Sequence, residues 1–133
     1  MLLLSDFAKL NDDELKTIAG WHRKTGDEQE LISWFSSNYN CPTICVTRGP
    51  NGAILFIQNK FYSHAGFTVT AMDTVGAGDS FLAGLISAFA KDLPPEEALE
   101  KACATGAFIA TQNGAVPNYS EKNIEKIIKD QSL

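Results

Sequence analysis

The chain has 133 residues, of which 44% are hydrophobic and 20% charged, and its net charge is −5. These values are typical of one soluble globular domain, so we expect a single domain over residues 1–133. The acidic charge argues against nucleic acid as the main partner, because binding a polyanion requires a basic face. No apolar run reaches the roughly 20 residues that cross a bilayer, which predicts no membrane partner and a cytoplasmic location.

The cysteines and histidines give no metal pattern. Cys41, Cys45 and Cys103 are odd in number and lack metal-ligand spacing, while His22 and His64 stand alone. A zinc site or a disulfide framework needs paired ligands at characteristic spacings. We therefore expect the cysteines to be reduced and mostly buried.

The first part of the chain alternates strand and helix patterns. Residues 2–4, all leucine, predict the end of a buried strand, and residues 11–14 open a helix with acids in its first turn. A second helix is predicted over residues 28–37. Residues 43–47 then form a short apolar run that suits a buried parallel strand.

A β-hairpin is predicted next. Residues 53–57 and 60–64 are rich in apolar and aromatic side chains, and only Gln58 and Asn59 separate them. Two residues are enough to join antiparallel strands, although this pair lacks the glycine that such turns favour.

The second part of the chain predicts one strand and three helices. Residues 67–72 are rich in β-branched side chains, and apolar residues then recur at helical spacing from Phe81. A further helix starts at Pro94 and runs to about Gln112, and a last one follows a Ser120 cap. A face of small residues on the Pro94 helix predicts close packing: Ala98, Ala102, Gly106 and Ala110. Together these elements predict an α/β layered fold, with a mostly parallel sheet flanked by helices and one β-hairpin.

The strongest chemical signal is a glycine-rich turn at residues 73–81, Asp-Thr-Val-Gly-Ala-Gly-Asp-Ser-Phe. The first backbone N–H groups of a helix have no internal partners and carry partial positive charge. Gly76, Ala77 and Gly78 place no bulky side chain in front of these groups, so a phosphate can bind there. Asp79 has two interpretations. It is either a first-turn acid, stabilised by about 0.3–1 kcal/mol through the helix dipole, or a general base for a substrate hydroxyl.

Residues 73–81 resemble the second signature of the PfkB or ribokinase-like carbohydrate kinases, D-T-x-G-A-G-D-x-F, at every specified position. The resemblance implies that Asp79 is the catalytic base and that Gly76, Ala77 and Gly78 form the anion hole. It also implies a ribokinase-like fold and an activity that moves the γ-phosphoryl group of ATP to a sugar hydroxyl. Both residue roles agree with what a helix N-terminus can do.

Two other segments resemble nucleotide-contacting loops of that family. In the T-x-G-x-x-G stretch, the resemblance implies that Thr47 and Gly49 approach the nucleotide phosphates and that Gly52 forms the turn. The segment after residue 112 resembles the G-A-x-x-P stretch near the adenine pocket, which implies nucleotide contacts for Asn113 and Gly114. The alternative is an ordinary turn in the first segment and a helix stop in the second.

Metal handling is implied at two places. Asn11 and Glu14 match the family's N-x-x-E pattern within a fructokinase-like K-L-N-x-x-E-L stretch, with Glu14 acting on Mg²⁺ through water. The alternative there is an asparagine helix cap. Several relatives in the family hold a monovalent cation through backbone carbonyls. For this chain, the alternative to such a cation site is an ordinary turn. A bound K⁺ would use the matching positions, which are Asp73, Val75, Ile109, Gln112, Gly114 and Asn118.

The resemblance covers almost the whole chain but only the carboxyl-terminal half of the family fold, without the first signature, the residues that grip the sugar and the lid strands. We expect the chain to supply the ATP site, anion hole and catalytic base of a fructokinase-like enzyme acting on a fructose-like sugar. By itself it should turn over negligibly, and an exposed sheet edge predicts self-association. The alternatives are a non-catalytic nucleotide-binding or interaction fragment, and a kinase of a nucleoside or of a vitamin such as pyridoxal.

Overall fold

The computed structural model of this protein describes residues 1–4, 6–69, 76–112 and 121–131. The chain divides into two compact units, Met1–Gly49 with Ala53–Ser63 and Pro50–Gly52 with His64–Leu133. The first unit holds a sheet with two helices, and the second holds three helices. No helix in the described ranges is long and apolar enough to span a membrane.

The sheet has the strand order β1-β2-β3-β4-β5. Its strands are β1 Leu2–Leu3, β2 Phe7–Asn11, β3 Thr43–Thr47, β4 Ala53–Ile57 and β5 Lys60–His64. Helices α1 Asp12–Trp21 and α2 Glu28–Asn38 connect β2 to β3. The expected α/β layers are therefore present.

The sheet is mixed in its strand directions. β2 and β3 are parallel, whereas β1 with β2 and β3 with β4 are antiparallel. Only the β2–β3 connection contains helices that return the chain to the same end of the sheet, and the short connections on either side suit antiparallel neighbours. The predicted parallel strand at residues 43–47 is confirmed. Among the described strands, however, the sheet is mixed rather than mostly parallel.

β2 is the buried strand at the start of the chain. Ala8 and Leu10 have no exposed surface, and they alternate with partly exposed neighbours. The prediction of a buried strand end at residues 2–4 is wrong, because β1 is short and Leu3 and Leu4 are 46% and 54% exposed. Lys9 interrupts the apolar pattern of β2, so the leucine run was the stronger but misleading signal.

The three strands β2, β3 and β4 pack with α1 and α2 around one apolar core. Its members with no exposed surface are Ala8, Leu10, Ile32, Phe35, Ile44 and Val46. Burying a side chain of leucine or phenylalanine size contributes roughly 1.5–3 kcal/mol. This core holds in place the strand ends from which the candidate loops extend.

The predicted β-hairpin is confirmed as β4 and β5. Gln58 and Asn59 both have left-handed backbones, with φ of 52° and 62°. Two positive φ angles in a two-residue loop define the type I′ turn, whose twist matches that of the flanking strands. Asparagine adopts this backbone more readily than most residues, which allows the turn to form without glycine.

The second unit contains α3 Ala77–Ala90, α4 Pro95–Ala110 and α5 Glu121–Gln131, close to the predicted helices. Ile124 of α5 is buried. Residues 67–69 do not form the strand that we expected. The rest of that segment, residues 70–72, and the Ser120 cap lie outside the described residues.

Helices α3 and α4 pack closely through small residues. A Cβ atom added to Gly84 would lie 3.0 Å from Thr105 Oγ1, and one added to Gly106 would lie 3.2 Å from the Ala77 carbonyl oxygen. Ala98 and Ala102 on the same α4 face have no exposed surface. The predicted small-residue face is confirmed, and it brings α4 directly against the first turn of α3.

The three cysteines are buried, as predicted. Burial raises the pKa of the Cys103 thiol to about 12. Because the thiolate is the reactive form, Cys103 is an inert packing residue at neutral pH.

Candidate nucleotide-binding and catalytic site

Two of the predicted site segments begin side by side on the sheet. Asn11 is the last residue of β2 and Thr47 is the last residue of β3, and the two are register partners across the parallel pair. Ligands of open α/β sheets bind beyond the carboxyl ends of the strands. The N-x-x-E and T-x-G-x-x-G segments therefore leave the sheet at the carboxyl ends of β2 and β3, where a ligand is expected.

Asn11 and Glu14 form a capping box at the start of α1. Asn11 Oδ1 accepts a hydrogen bond from the Glu14 N–H at 2.8 Å, and the Asn11 N–H donates to Glu14 Oε1 at 2.9 Å. The Met1 ammonium donates to Glu14 Oε2 at 2.6 Å. This ammonium and the Asn11 N–H hold the pKa of the Glu14 carboxyl below its ordinary value. The helix cap is thus present, and the role of Glu14 toward magnesium stays a prediction.

The donor set around Glu14 fits magnesium held through water. The Glu14 side chain is 35% exposed, so its carboxylate still offers lone pairs to a water molecule. Within the described ranges, no group of three or more His, Cys, Asp or Glu residues could enclose a metal ion. A single exposed carboxylate suits Mg²⁺, which keeps several waters and is usually shared with nucleotide phosphates.

The two glycines after β3, Gly49 and Gly52, lie in different surroundings. Gly49 has φ +57°, and no described atom lies within 4 Å of a Cβ built on it, so its backbone faces open space. Gly52 has φ +87°, but a Cβ there would lie 1.8 Å from the His64 carbonyl oxygen. Gly49 can therefore admit a ligand, whereas Gly52 is required by the close approach of two backbone segments.

The residue between Thr47 and Gly49 makes an ion pair with the start of α2. Arg48 Nε donates to both carboxylate oxygens of Glu28 at 3.1 Å, and Arg48 Nη2 also donates to Glu28 Oε1. Glu28 raises the pKa of Arg48 above its ordinary value through these hydrogen bonds. Sequence analysis did not find this pair, because nothing in a local pattern links residues so far apart in the chain.

In the second unit, residues 76–79 of the glycine-rich segment form the N-terminus of α3. Gly76 is the N-cap with φ +82°, and no side chain in the described ranges caps this helix end. No described atom lies within 4 Å of a Cβ built on Gly76. Asp79 is an exposed residue of the first turn. The start of α3 therefore presents its first amides beside a carboxylate, and no side chain in the described ranges caps them.

The first turn of α3 is supported from behind by α4. A Cβ on Gly106 would approach both the Ala77 carbonyl oxygen, at 3.2 Å, and the Phe81 Cβ atom, at 3.5 Å. A larger residue at position 106 would therefore require Ala77 or α4 to shift by a few tenths of an ångström. Sequence analysis had identified the small-residue face but had not connected Gly106 to the predicted anion hole.

Several predicted site positions cannot be placed. Asp73, Val75, Asn113, Gly114 and Asn118 lie outside the described residues. Of the other two carbonyl positions predicted for K⁺, that of Ile109 accepts a hydrogen bond from the Gln112 N–H at 3.0 Å. The potassium site and the adenine contacts stay predictions.

The described site residues thus form two groups. Asn11, Glu14, Thr47 and Gly49 lie in the first unit, at or after the ends of two adjacent parallel strands. Residues 76–79 and Gly106 lie in the second unit, at the contact between α3 and α4.

Comparison with known proteins gives the family. The model of the pfkB family carbohydrate kinase matches residues 1–122. The chain therefore belongs to the pfkB family of carbohydrate kinases.

Individual relatives agree with this assignment. The chain is 34% identical over 121 residues to probable fructokinase-7 of Arabidopsis thaliana, covering 86% of this chain and 35% of that protein. The solved structure of Arabidopsis thaliana ribokinase with ribose and ATP has a TM-score of 0.80 at 26% identity, covering 93% of this chain and 41% of that one. An Escherichia coli protein described as a ribokinase II, solved with ATP and Mg²⁺, has a TM-score of 0.81 at 24% identity, covering 95% and 40%. The ribokinase-like fold is confirmed, and the chain spans about a third of the length of the curated relative.

Proposed function

We propose that this chain carries the ATP site, anion hole and catalytic base of a sugar kinase that phosphorylates a sugar hydroxyl. The observation that carries the proposal is the start of α3. Gly76 adopts a left-handed backbone with no described atom within 4 Å of a Cβ built on it, and Asp79 lies exposed one turn further on. Phosphoryl transfer depends mainly on positioning and charge stabilisation, and free helix amides beside a carboxylate can contribute to both.

In the proposed reaction, the Asp79 carboxylate accepts the proton of the sugar hydroxyl as its oxygen attacks the γ-phosphorus of ATP. The bond between that phosphorus and the β–γ bridging oxygen breaks, and ADP leaves. The first amides of α3, from Ala77 onward, stabilise the charge that develops on the transferred phosphoryl group. Preorganised donors of this kind need no rearrangement during the reaction, which is why they stabilise a transition state more than water does.

The nucleotide contacts are proposed for the loop after β3 and for the segment after α4. Thr47 and the open backbone of Gly49 would approach the phosphates, Gly52 would form the turn, and Asn113 and Gly114 would lie near the adenine. Mg²⁺, when bound, would neutralise charge between the phosphates, with Glu14 holding one of its waters. K⁺ is proposed at the backbone carbonyls named above.

The acceptor is proposed to be a fructose-like sugar. The support is the fructokinase from Arabidopsis among the relatives, together with a fold neighbour that was solved with ribose. A non-catalytic nucleotide-binding module is the second candidate. It applies to this chain taken by itself, which covers 35% of that fructokinase, because a kinase must hold two substrates at once.

Replacing the proposed base tests the mechanism. Asp79→Asn, in this chain joined to the amino-terminal portion of a fructokinase, is expected to lower turnover by roughly 10²–10⁴-fold. ATP affinity should be similar or higher, because a negative charge near the phosphates is removed. Turnover is measured with a coupled ADP-release assay and ATP affinity by calorimetry.

Glu96→Gln is the matched control, since Glu96 is also an acid in the first turn of a helix, α4. If Asp79 is only a first-turn acid that the helix dipole stabilises, the two variants should have similar turnover. Equal turnover of Asp79→Asn and Glu96→Gln would remove Asp79 from the mechanism. ATP binding without any turnover by the joined protein would favour the non-catalytic module.

A further inference from the structure

Arg48 occupies a special position in the first unit. It is the single residue between the end of β3 at Thr47 and the short 3₁₀ turn that begins at Gly49. The residues on either side of it are both proposed phosphate contacts. Whatever fixes the backbone of Arg48 therefore fixes the position of both contacts.

Glu28 holds the Arg48 side chain by three hydrogen bonds. Arg48 Nε lies 3.1 Å from both Glu28 carboxylate oxygens, and Nη2 donates to Oε1 as well. A guanidinium is planar, so several hydrogen bonds to one carboxylate fix its orientation as well as its distance. An ammonium group in the same place would fix only a distance.

The anchor at the other end of the pair is itself rigid. Glu28 is the first residue of α2, and the Asp27 side chain caps this helix by accepting from the Glu30 N–H at 2.8 Å. The side chains of Arg48 and Glu28 are 27% and 31% exposed, so the pair is partly shielded from solvent. Partial shielding strengthens an ion pair relative to a fully exposed one.

We infer that Arg48 and Glu28 form a positioning pair that holds residues 47–49 in the conformation that binds the phosphates of ATP. This inference rests on the proposed nucleotide site. Arg48 acts through the backbone of its neighbours, because Glu28 already takes up its guanidinium. The pair is also neutral as a unit, so phosphate binding at this turn depends on backbone amides and the Thr47 hydroxyl.

Calorimetric titration of the chain with ATP in the presence of Mg²⁺ tests the pair. Glu28→Ala and Arg48→Ala are each expected to raise the Kd for ATP by about tenfold. The Kd of the double variant should be no higher than that of the single variant that binds ATP more weakly. Arg48→Lys should lose affinity as well, because lysine keeps the charge but not the planar fork. Glu30→Ala is the control, since it removes the same charge from the same turn of α2 and should leave the Kd unchanged.

Three results would overturn the inference, and they differ from one another. If Arg48→Ala weakens ATP binding while Glu28→Ala and Arg48→Lys do not, Arg48 contacts the phosphate directly. If the variants lower the unfolding midpoint but keep the wild-type Kd, the pair serves stability alone. If the unaltered chain does not bind ATP, the proposed nucleotide site fails and the inference fails with it.

Discussion

Gly49 and Gly52 have positive φ angles for different physical reasons, and this difference can be measured. Gly49→Ala should cost about 1–2 kcal/mol of folding free energy for the left-handed backbone. Its methyl group would point into open space, where the nucleotide is proposed to approach. We expect it to weaken ATP binding more than it weakens the fold.

Gly52→Ala should instead weaken the fold more than it weakens ATP binding. Its Cβ would overlap the His64 carbonyl oxygen at 1.8 Å, and a backbone atom cannot move aside as a side chain can. We expect a loss of roughly 3 kcal/mol or more, since strained backbone and steric overlap are among the mechanisms that produce large effects. Urea unfolding and ATP titration of both variants provide the check, and equal stability of the two would contradict this account.

Glu14 makes the stability of α1 dependent on pH. Its carboxyl pKa is lowered in the folded chain, so the ionised form is favoured by folding. Its stabilisation is therefore complete above the unfolded-state pKa and is lost as the pH falls through the lower folded-state pKa. Glu14→Gln should flatten the dependence of the unfolding midpoint on pH below about pH 5.

The control for this experiment is Asp13→Asn. Asp13 is another acid of the first α1 turn but lies outside the capping box. If Asp13→Asn flattens the profile as much as Glu14→Gln does, the effect belongs to the general charge of the helix end and not to the contacts of Glu14 with the Met1 ammonium and the Asn11 N–H.

Contacts between residues close in sequence could be predicted, and distant ones could not. The Asn11 and Glu14 cap joins residues three apart, so the pattern of the sequence already contains it. The Arg48 and Glu28 pair joins residues 20 apart, and it exists only because β3 ends near the start of α2. Its position follows from the packing of the sheet and helices, which local spacing does not encode.

At the level of the elements, the contact between α4 and the first turn of α3 involves the glycine at position 106. Gly106→Ala places a Cβ 3.2 Å from the Ala77 carbonyl oxygen, whereas a Cβ on Gly20 of α1 meets no described atom within 4 Å. Replacing a helical glycine by alanine normally stabilises by about 0.5–1 kcal/mol. We expect Gly20→Ala to realise this gain and Gly106→Ala to fall short of it by roughly 1 kcal/mol or more.

Chemical denaturation of both variants measures the difference. A gain for Gly106→Ala equal to that for Gly20→Ala would show that α4 does not support the first turn of α3. Since the proposed anion hole starts at that turn, Gly106→Ala should also weaken ATP binding, and Gly20→Ala should not.

The helices and the hairpin could be predicted because their signals are local. Acidic first turns, a proline start and apolar residues at helical spacing indicated α1, α3 and α4. β2 was missed because its burial is set by the neighbouring strand β3 and by the helices that cover it, while Lys9 breaks its apolar pattern. A short strand in a mixed sheet is defined by its neighbours more than by its own composition.

At the level of the whole molecule, the chain spans 35% of the length of the Arabidopsis fructokinase that it matches. Holding two substrates in register can supply roughly 7–11 kcal/mol of barrier reduction, which a nucleotide site alone does not provide. We expect negligible fructose phosphorylation by the isolated chain, far below the enzyme median of about 10 per second.

A coupled ADP-release assay with fructose and ATP measures this turnover, with the same chain joined to an amino-terminal fructokinase portion as the positive control. Turnover of the isolated chain near that of the joined protein would contradict the prediction.

Self-association also stays a prediction. β1 pairs with Ala8 and Lys9 of the five-residue strand β2, and the prediction concerns the rest of that strand's edge.

The pairing of Asn11 with Thr47 has a consequence for how this protein can change during evolution. The two residues are opposite each other at the strand ends, and helices α1 and α2 lie between them in the sequence. An insertion in the exposed connection at residues 22–27 lengthens the crossover and leaves the junction intact. One extra residue inside β3 would instead turn the Thr47 side chain to the opposite face of the sheet. Length variation should therefore be tolerated between the helices and rejected within the strands.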